Sequence, residues 1–293
     1  MNKFDFDPKI TEFSFKNALA LAEASELAYE SRSVYENILK EWGFSKVYPL
    51  ERNETQGFVA KRDDIILLVF RGTEQTKPED ILTDVLVSQE NTKLGRVHYG
   101  FLRALKFVWK DILKALREFQ DNNQDIWIAG HSLGGALATL AAAKLASENK
   151  CKNIRGLYTY GKPRVGDEEF KINFEKLFKT GAYRITNFRD PVSIIPFSIS
   201  RIFKWNIALQ YHHSGQMVLF NESGDIAKES EKCPKSTLIW LSVGVAFIAI
   251  AIKWFKKVKI AGKLVEYINS LAEPHTLKKY IENIKKNINN SED

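Results

Sequence analysis

The chain has 293 residues, 44 % apolar and 12 % aromatic, which is enough to bury a full core and excludes disorder as the dominant state. Its formal charge of +7 is spread over scattered lysines with no nucleic-acid motif, so a solvated basic surface is expected and nucleic-acid binding is not. Two distant cysteines, Cys151 and Cys233, and five histidines show no metal-ligand spacing, which argues against a disulfide framework and against a bound metal.

The opening stretch, "MNKFDFDPKITEFSF", has no continuous apolar run and does not read as a secretory signal. The expected location is cytoplasmic or membrane-associated, with any export following a route independent of such a signal. Thr11 to Glu30 reads as an amphipathic helix. Gly57 to Lys61, a turn at Arg62-Asp63-Asp64 and a buried run from Ile65 to Phe70 read as a hairpin. Phe101 to Gln120 sets Phe101, Leu105, Val108, Trp109, Ile112, Leu116 and Phe119 on one helical stripe. A strand at Asp125 to Ala129, a helix at Ala136 to Leu145, a strand at Ile154 to Tyr160, a helix at Asp167 to Lys179 and a strand at Ala182 to Asn187 follow. This alternation predicts an α/β domain with a mostly parallel central sheet and ligands near the carboxyl ends of its strands. No internal repeat or long low-complexity linker interrupts it, so residues 1–293 read as a single domain.

Between the strand at Asp125 and the helix at Ala136 stands "GHSLGG", a Gly-Xaa-Ser-Xaa-Gly turn. The pentapeptide alone is weak, since it recurs by chance about 0.1 times in a chain of this size. Its setting is stronger, because a strained strand-to-helix elbow lifts a serine oxygen above the sheet edge. A serine hydroxyl is a poor nucleophile unless a base lies within hydrogen-bond reach and an acid orients that base. Asp190 in "RITNFRDPVSIIP" is the best acid, placed just past a strand, with an ordinary Asp-Pro turn as the alternative. For the base, His131 and His98 are misplaced in chain order, which leaves His212, His213 and His275. "YHHSGQMVLF" resembles a strand lead-in, whereas "EPHTLKKYI" puts His275 on the loop or first turn of a late helix, which favours His275.

Several strings in order carry a family resemblance: "VFRGT" (Val69 to Thr73), "DILTDV", "VHYGF", "GHSLGG", "YGKPRVGD", "RDPVSIIP" and "HTLKKY". Across residues 57 to 220 and again at His275 the chain resembles the class 3 lipases, which implies an α/β-hydrolase fold with helices on both faces. The resemblance implies Ser132 as nucleophile, Asp190 as orienting acid and His275 as general base, with His212 or His213 matching a histidine outside the triad. It places the oxyanion hole at Thr73 and at the backbone N–H of Leu133, and a lid over residues 74–96, where a plain surface helix is the alternative. No cofactor is implied.

The chain departs from that pattern in an insert at residues 231–272. From Ser236 to Ile252 there is no charge, and a helix of that length reaches about 25 Å, short of the roughly 30 Å hydrocarbon core. Lys253, Lys256, Lys257 and Lys259 follow, suiting anionic headgroups. A single crossing would separate His275 from Ser132, so the segment reads as a hydrophobic helix packed on the body or as one dipping into a membrane surface through residues 236–259. The expected activity is serine carboxylester hydrolysis of membrane-lipid acyl esters, of phospholipase A or lipase type. The alternatives are a neutral acylglycerol lipase and a catalytically silent membrane-binding protein on the same scaffold. Some bacterial relatives are antibacterial toxins, a role in which an immunity protein would be a partner.

Overall fold

The computed structural model describes residues 3–72, 89–150, 153–195, 211–227 and 273–292. Helix α1 (Phe15–Leu27) starts where the Ser14 hydroxyl accepts from the Asn17 N–H, and its buried alanines let it lie close against the sheet. Helix α2 (Arg32–Glu41) and strand β1 (Lys46–Arg52) have no counterpart in the sequence expectations. The reason is physical: α2 buries only Tyr35 and Leu39, and β1 is a largely open edge strand that tolerates Pro49.

Strands β2 (Thr55–Lys61) and β3 (Ile65–Phe70) form the expected hairpin, with β1 added antiparallel to its outer edge. Parallel to β3 lies β6 (Asp125–His131), followed by β7 (Ile154–Tyr160), β8 (Ala182–Asn187) and β9 (Gln216–Phe220). The sheet order is β1-β2-β3-β6-β7-β8-β9. Both faces of its centre are covered, which is why β3 and β6 read as unbroken apolar runs and not as alternating ones. On one face Ile66, Leu68, Ile126 and Ile128 pack under α3 (Tyr99–Phe119), α4 (Leu133–Ser147) and α5 (Glu168–Leu177). On the other, Leu67, Val69, Trp127 and Ala129 pack under α1, α2 and α6 (Leu277–Glu292).

Strands β4 (Gln89–Thr92) and β5 (Gly95–His98) pair as a separate hairpin. Residues 89–96 of the expected lid lie in this hairpin. The polar run satisfies its backbone by pairing, and Arg96 reaches Asp167 through its N–H (3.1 Å) and its guanidinium (3.0 Å), tying the hairpin to α5. Residues 74–88 of that expected lid lie outside the described residues, as does the whole insert 231–272. Among the described residues no helix is long and apolar enough to cross a membrane. The parallel register sets His131 beside Tyr160 and Tyr160 beside Ile185, bringing the carboxyl ends of β6, β7 and β8 together.

Candidate active site

The elbow after β6 is built by its glycines. A Cβ on Gly130 would stand 2.4 Å from the Gly134 backbone, and one on Gly134 would stand 2.3 Å from the Phe70 carbonyl oxygen. Only glycine lets α4 start so close to β3 and β6. Ser132 is forced into φ 56° and ψ −127°, a strained conformation for a non-glycine residue. Its N–H donates to the Tyr160 carbonyl at 2.9 Å, which fixes the turn to the end of β7. Leu133 opens α4, so its backbone N–H has no acceptor within the helix and lies at the positive end of the helix dipole. Thr73, the other expected oxyanion donor, lies outside the described residues. Gly72, its neighbour, presses on the elbow: a Cβ there would sit 3.2 Å from the Ser132 Cβ.

Asp190 follows β8 and is 2 % exposed. Its Oδ1 accepts the Val192 N–H at 2.8 Å, and Oδ2 accepts the Tyr280 hydroxyl at 2.6 Å. His275 closes a short 3-10 turn (Glu273–His275) before α6, and its Nδ1 lies 3.0 Å from both Asp190 oxygens. Burial, then the Asp190 carboxylate, push the Tyr280 hydroxyl well above its usual range, so it remains a protonated donor. Ser132 Oγ and His275 Nε2 are buried and neither makes a hydrogen bond among the described residues. The His131 and His275 rings lie 4.7 Å apart, which sets His275 beside the elbow. A serine-to-histidine bond that forms only with substrate is common in unliganded hydrolases.

The other histidines have other partners. His98 caps α3, its Nδ1 accepting the Phe101 N–H at 3.3 Å. His212 bridges Gly166 through its backbone, and His213 donates from Nε2 to the Ser193 carbonyl at 2.6 Å. Burial and then Arg184, Lys162 and Arg164 hold the His213 ring well below its ordinary value. Lys162 is 1 % exposed, and burial pushes its amine well down. Among the described residues no group of acids, histidines or cysteines could hold a metal.

Sequence reasoning missed three contributors. Tyr280 lies five residues after His275 in the "HTLKKY" string, yet a tyrosine on an amphipathic helix reads as core. Gly161 has φ 58°, and a Cβ there would fall 2.6 Å from Asp190 Oδ2 and 2.9 Å from His275 Nδ1. Asn187 has no signal in one dimension at all; its role is visible only through its bonds to Pro274 and Asn283.

Residues 67–199 match the class 3 lipase family. A lipase of Caenorhabditis elegans is 28 % identical over 66 % of this chain and 58 % of its own length. A triacylglycerol lipase of Arabidopsis thaliana is 30 % identical over 50 % and 38 %, and a secreted mono- and diacylglycerol lipase of Fusarium solani is 41 % identical over 34 % and 29 %. The chain thus spans from under a third to just over half of these relatives' lengths. Among solved structures, lipase II from Rhizopus niveus aligns with TM-score 0.58 and 25 % identity over 70 % of this chain and 80 % of that one. The lipase from Rhizopus microsporus var. chinensis aligns with TM-score 0.54 and 26 % identity over 72 % and 76 %. With its α/β-hydrolase sheet and its matched segment from β3 to the turn after Asp190, this chain is similar to the class 3 lipases.

Proposed function

We propose that the protein is a serine carboxylester hydrolase acting on acyl esters of lipids, with Ser132 as nucleophile, His275 as general base and Asp190 as the acid that orients it. The observation that carries this reading is the buried Asp190–His275 pair, at 3.0 Å, beside a strained serine elbow. Ser132 Oγ attacks the ester carbonyl as His275 Nε2 takes its proton. The tetrahedral oxyanion is held by the backbone N–H of Leu133 and by Thr73, each such donor typically worth about 3 kcal/mol of barrier. Collapse of the intermediate breaks the ester bond, His275 returns the proton to the leaving alcohol, and water then clears the acyl-enzyme by the same route.

The net charge of +7 and the apolar-then-basic run of residues 236–259 support membrane phospholipids as substrate, with that run as the membrane contact. A second reading, a neutral acylglycerol lipase, is supported by the relatives named for triacylglycerols and for mono- and diacylglycerols. The catalytically silent membrane-binding alternative has no support from a chain that retains all three proposed triad residues. Incubating the purified protein with mixed bacterial lipids, and with triacylglycerol in parallel, then identifying products by mass, separates these readings. Lysophospholipid release supports the first, diacylglycerol alone the second, and no turnover of either defeats the hydrolase reading. A delivered-toxin role, with an immunity protein as partner, would require growth inhibition of recipient cells that depends on Ser132.

A further inference from the structure

Residues 228–272 separate the turn after β9 from His275, so the position of His275 depends on what holds the described end of that return. Two hydrogen bonds hold the described end of that return. Asn187, the last residue of β8, donates from Nδ2 to the Pro274 carbonyl at 2.8 Å. His131, the last residue of β6, bonds through Nε2 to the His275 carbonyl at 2.7 Å. Since a carbonyl only accepts, Nε2 of His131 carries the proton and Nδ1 accepts the Tyr29 hydroxyl at 2.9 Å. Burial, then the neighbouring His275, hold His131 well below its ordinary value, in keeping with a neutral ring of that single tautomer.

Asn187 is oriented in turn. Its Oδ1 accepts Asn283 Nδ2 at 2.9 Å, and the Asn283 carbonyl accepts Asn287 Nδ2 at 2.7 Å. Asn287 also donates to the Gly224 carbonyl at 2.8 Å. The backbone N–H of Asn187 donates to the Tyr280 oxygen at 3.0 Å, and Tyr280 donates onward to Asp190. Asn187 and His131 are 3 % and 1 % exposed, so no solvent replaces either bond if it is lost.

Building on the proposed triad, we propose that Asn187 and His131 are positioning residues that pin two successive carbonyls of the base-bearing turn to the strands leading to the acid and to the nucleophile. Asn187 holds Pro274 and His131 holds His275, each through the backbone carbonyl, while Asp190 holds the imidazole ring. Loss of either clamp lets the imidazole shift, and a displacement of about 1 Å at a catalytic group costs on the order of a hundredfold in rate.

The test compares Asn187→Leu, His131→Phe and His131→Gln with the full-length wild type on a soluble short-chain ester, together with the low-field proton resonance of the His275 Nδ1–H shared with Asp190. Asn187→Leu and His131→Phe should lower kcat about ten- to a hundredfold with KM unchanged, and should broaden or abolish the resonance. His131→Gln, which keeps a donor, should restore most of both. Folded variants with wild-type kcat and resonance would overturn the proposal, as would a loss of thermal stability that moves neither. Should Asn187→Leu fail to fold, the His131 pair decides. If Ser132→Ala instead retains turnover, the triad reading falls, while the resonance still reports on the clamp.

Discussion

The proposed nucleophile half of the site and the proposed base half are built by opposite means. Ser132 is placed by the backbone, within one strand, one elbow and one helix, and the glycines at 130 and 134 permit a packing too close for any side chain there. His275 is placed by side chains far from it in sequence: Asp190 is 85 positions away and His131 is 144. A local backbone device is rigid because no rotamer can relax it. A device made of long-range hydrogen bonds is as strong as its weakest buried partner, so the base half should be the more easily damaged.

Four experiments sharpen or break that contrast. The largest effect should come from Ser132→Ala, which should remove about a millionfold of kcat on a short-chain ester while leaving the circular dichroism spectrum unchanged. A mutant with wild-type turnover would end the comparison. Next, Gly161→Ala should lower kcat by about a hundredfold, because its methyl would press on both Asp190 and His275, at 2.6 and 2.9 Å, and at φ 58°. Activity within about twofold of wild type would mean that the base half tolerates displacement and is not the fragile one.

Tyr280→Phe deletes a single donor to Asp190 and should cost about 1–3 kcal/mol in urea unfolding, with a fall in kcat of about tenfold. Unchanged kcat would show that the Val192 and Ser193 N–H groups and His275 suffice to hold Asp190. The smallest effect concerns pH. His131 is held neutral when folded, whereas in the unfolded chain it titrates near the ordinary value of 6.5. Below that value the unfolded state binds the extra proton, so stability present above pH 6.5 is lost as pH falls, by up to about 1.4 kcal/mol per pH unit. His131→Phe should flatten that slope by one proton. An unaltered slope would place the acid sensitivity in another buried group, such as His213.

Much of the framework was legible in one dimension. Ala182 to Asn187 and Ile154 to Tyr160 were bounded to the residue, since each is a short apolar run flanked by turn residues. Helices α3, α4 and α5 were found with ends displaced by one to three residues. The β4–β5 hairpin was not anticipated because a short polar strand has no burial pattern to betray it. The edge strand β1 escaped for the same reason.

By itself the sequence determined the periodicities of strand and helix, their alternation into a parallel sheet, and the glycine elbow that presents Ser132, because all of these depend on neighbours within a few residues. Only the tertiary structure decided that His275 meets Asp190 while His212 and His213 turn to Gly166 and Ser193, and that Tyr280, Asn187 and His131 hold this arrangement. Each of those choices is a hydrogen bond between groups many positions apart, and a buried donor finds its acceptor only once the sheet has brought both ends of the chain to one edge.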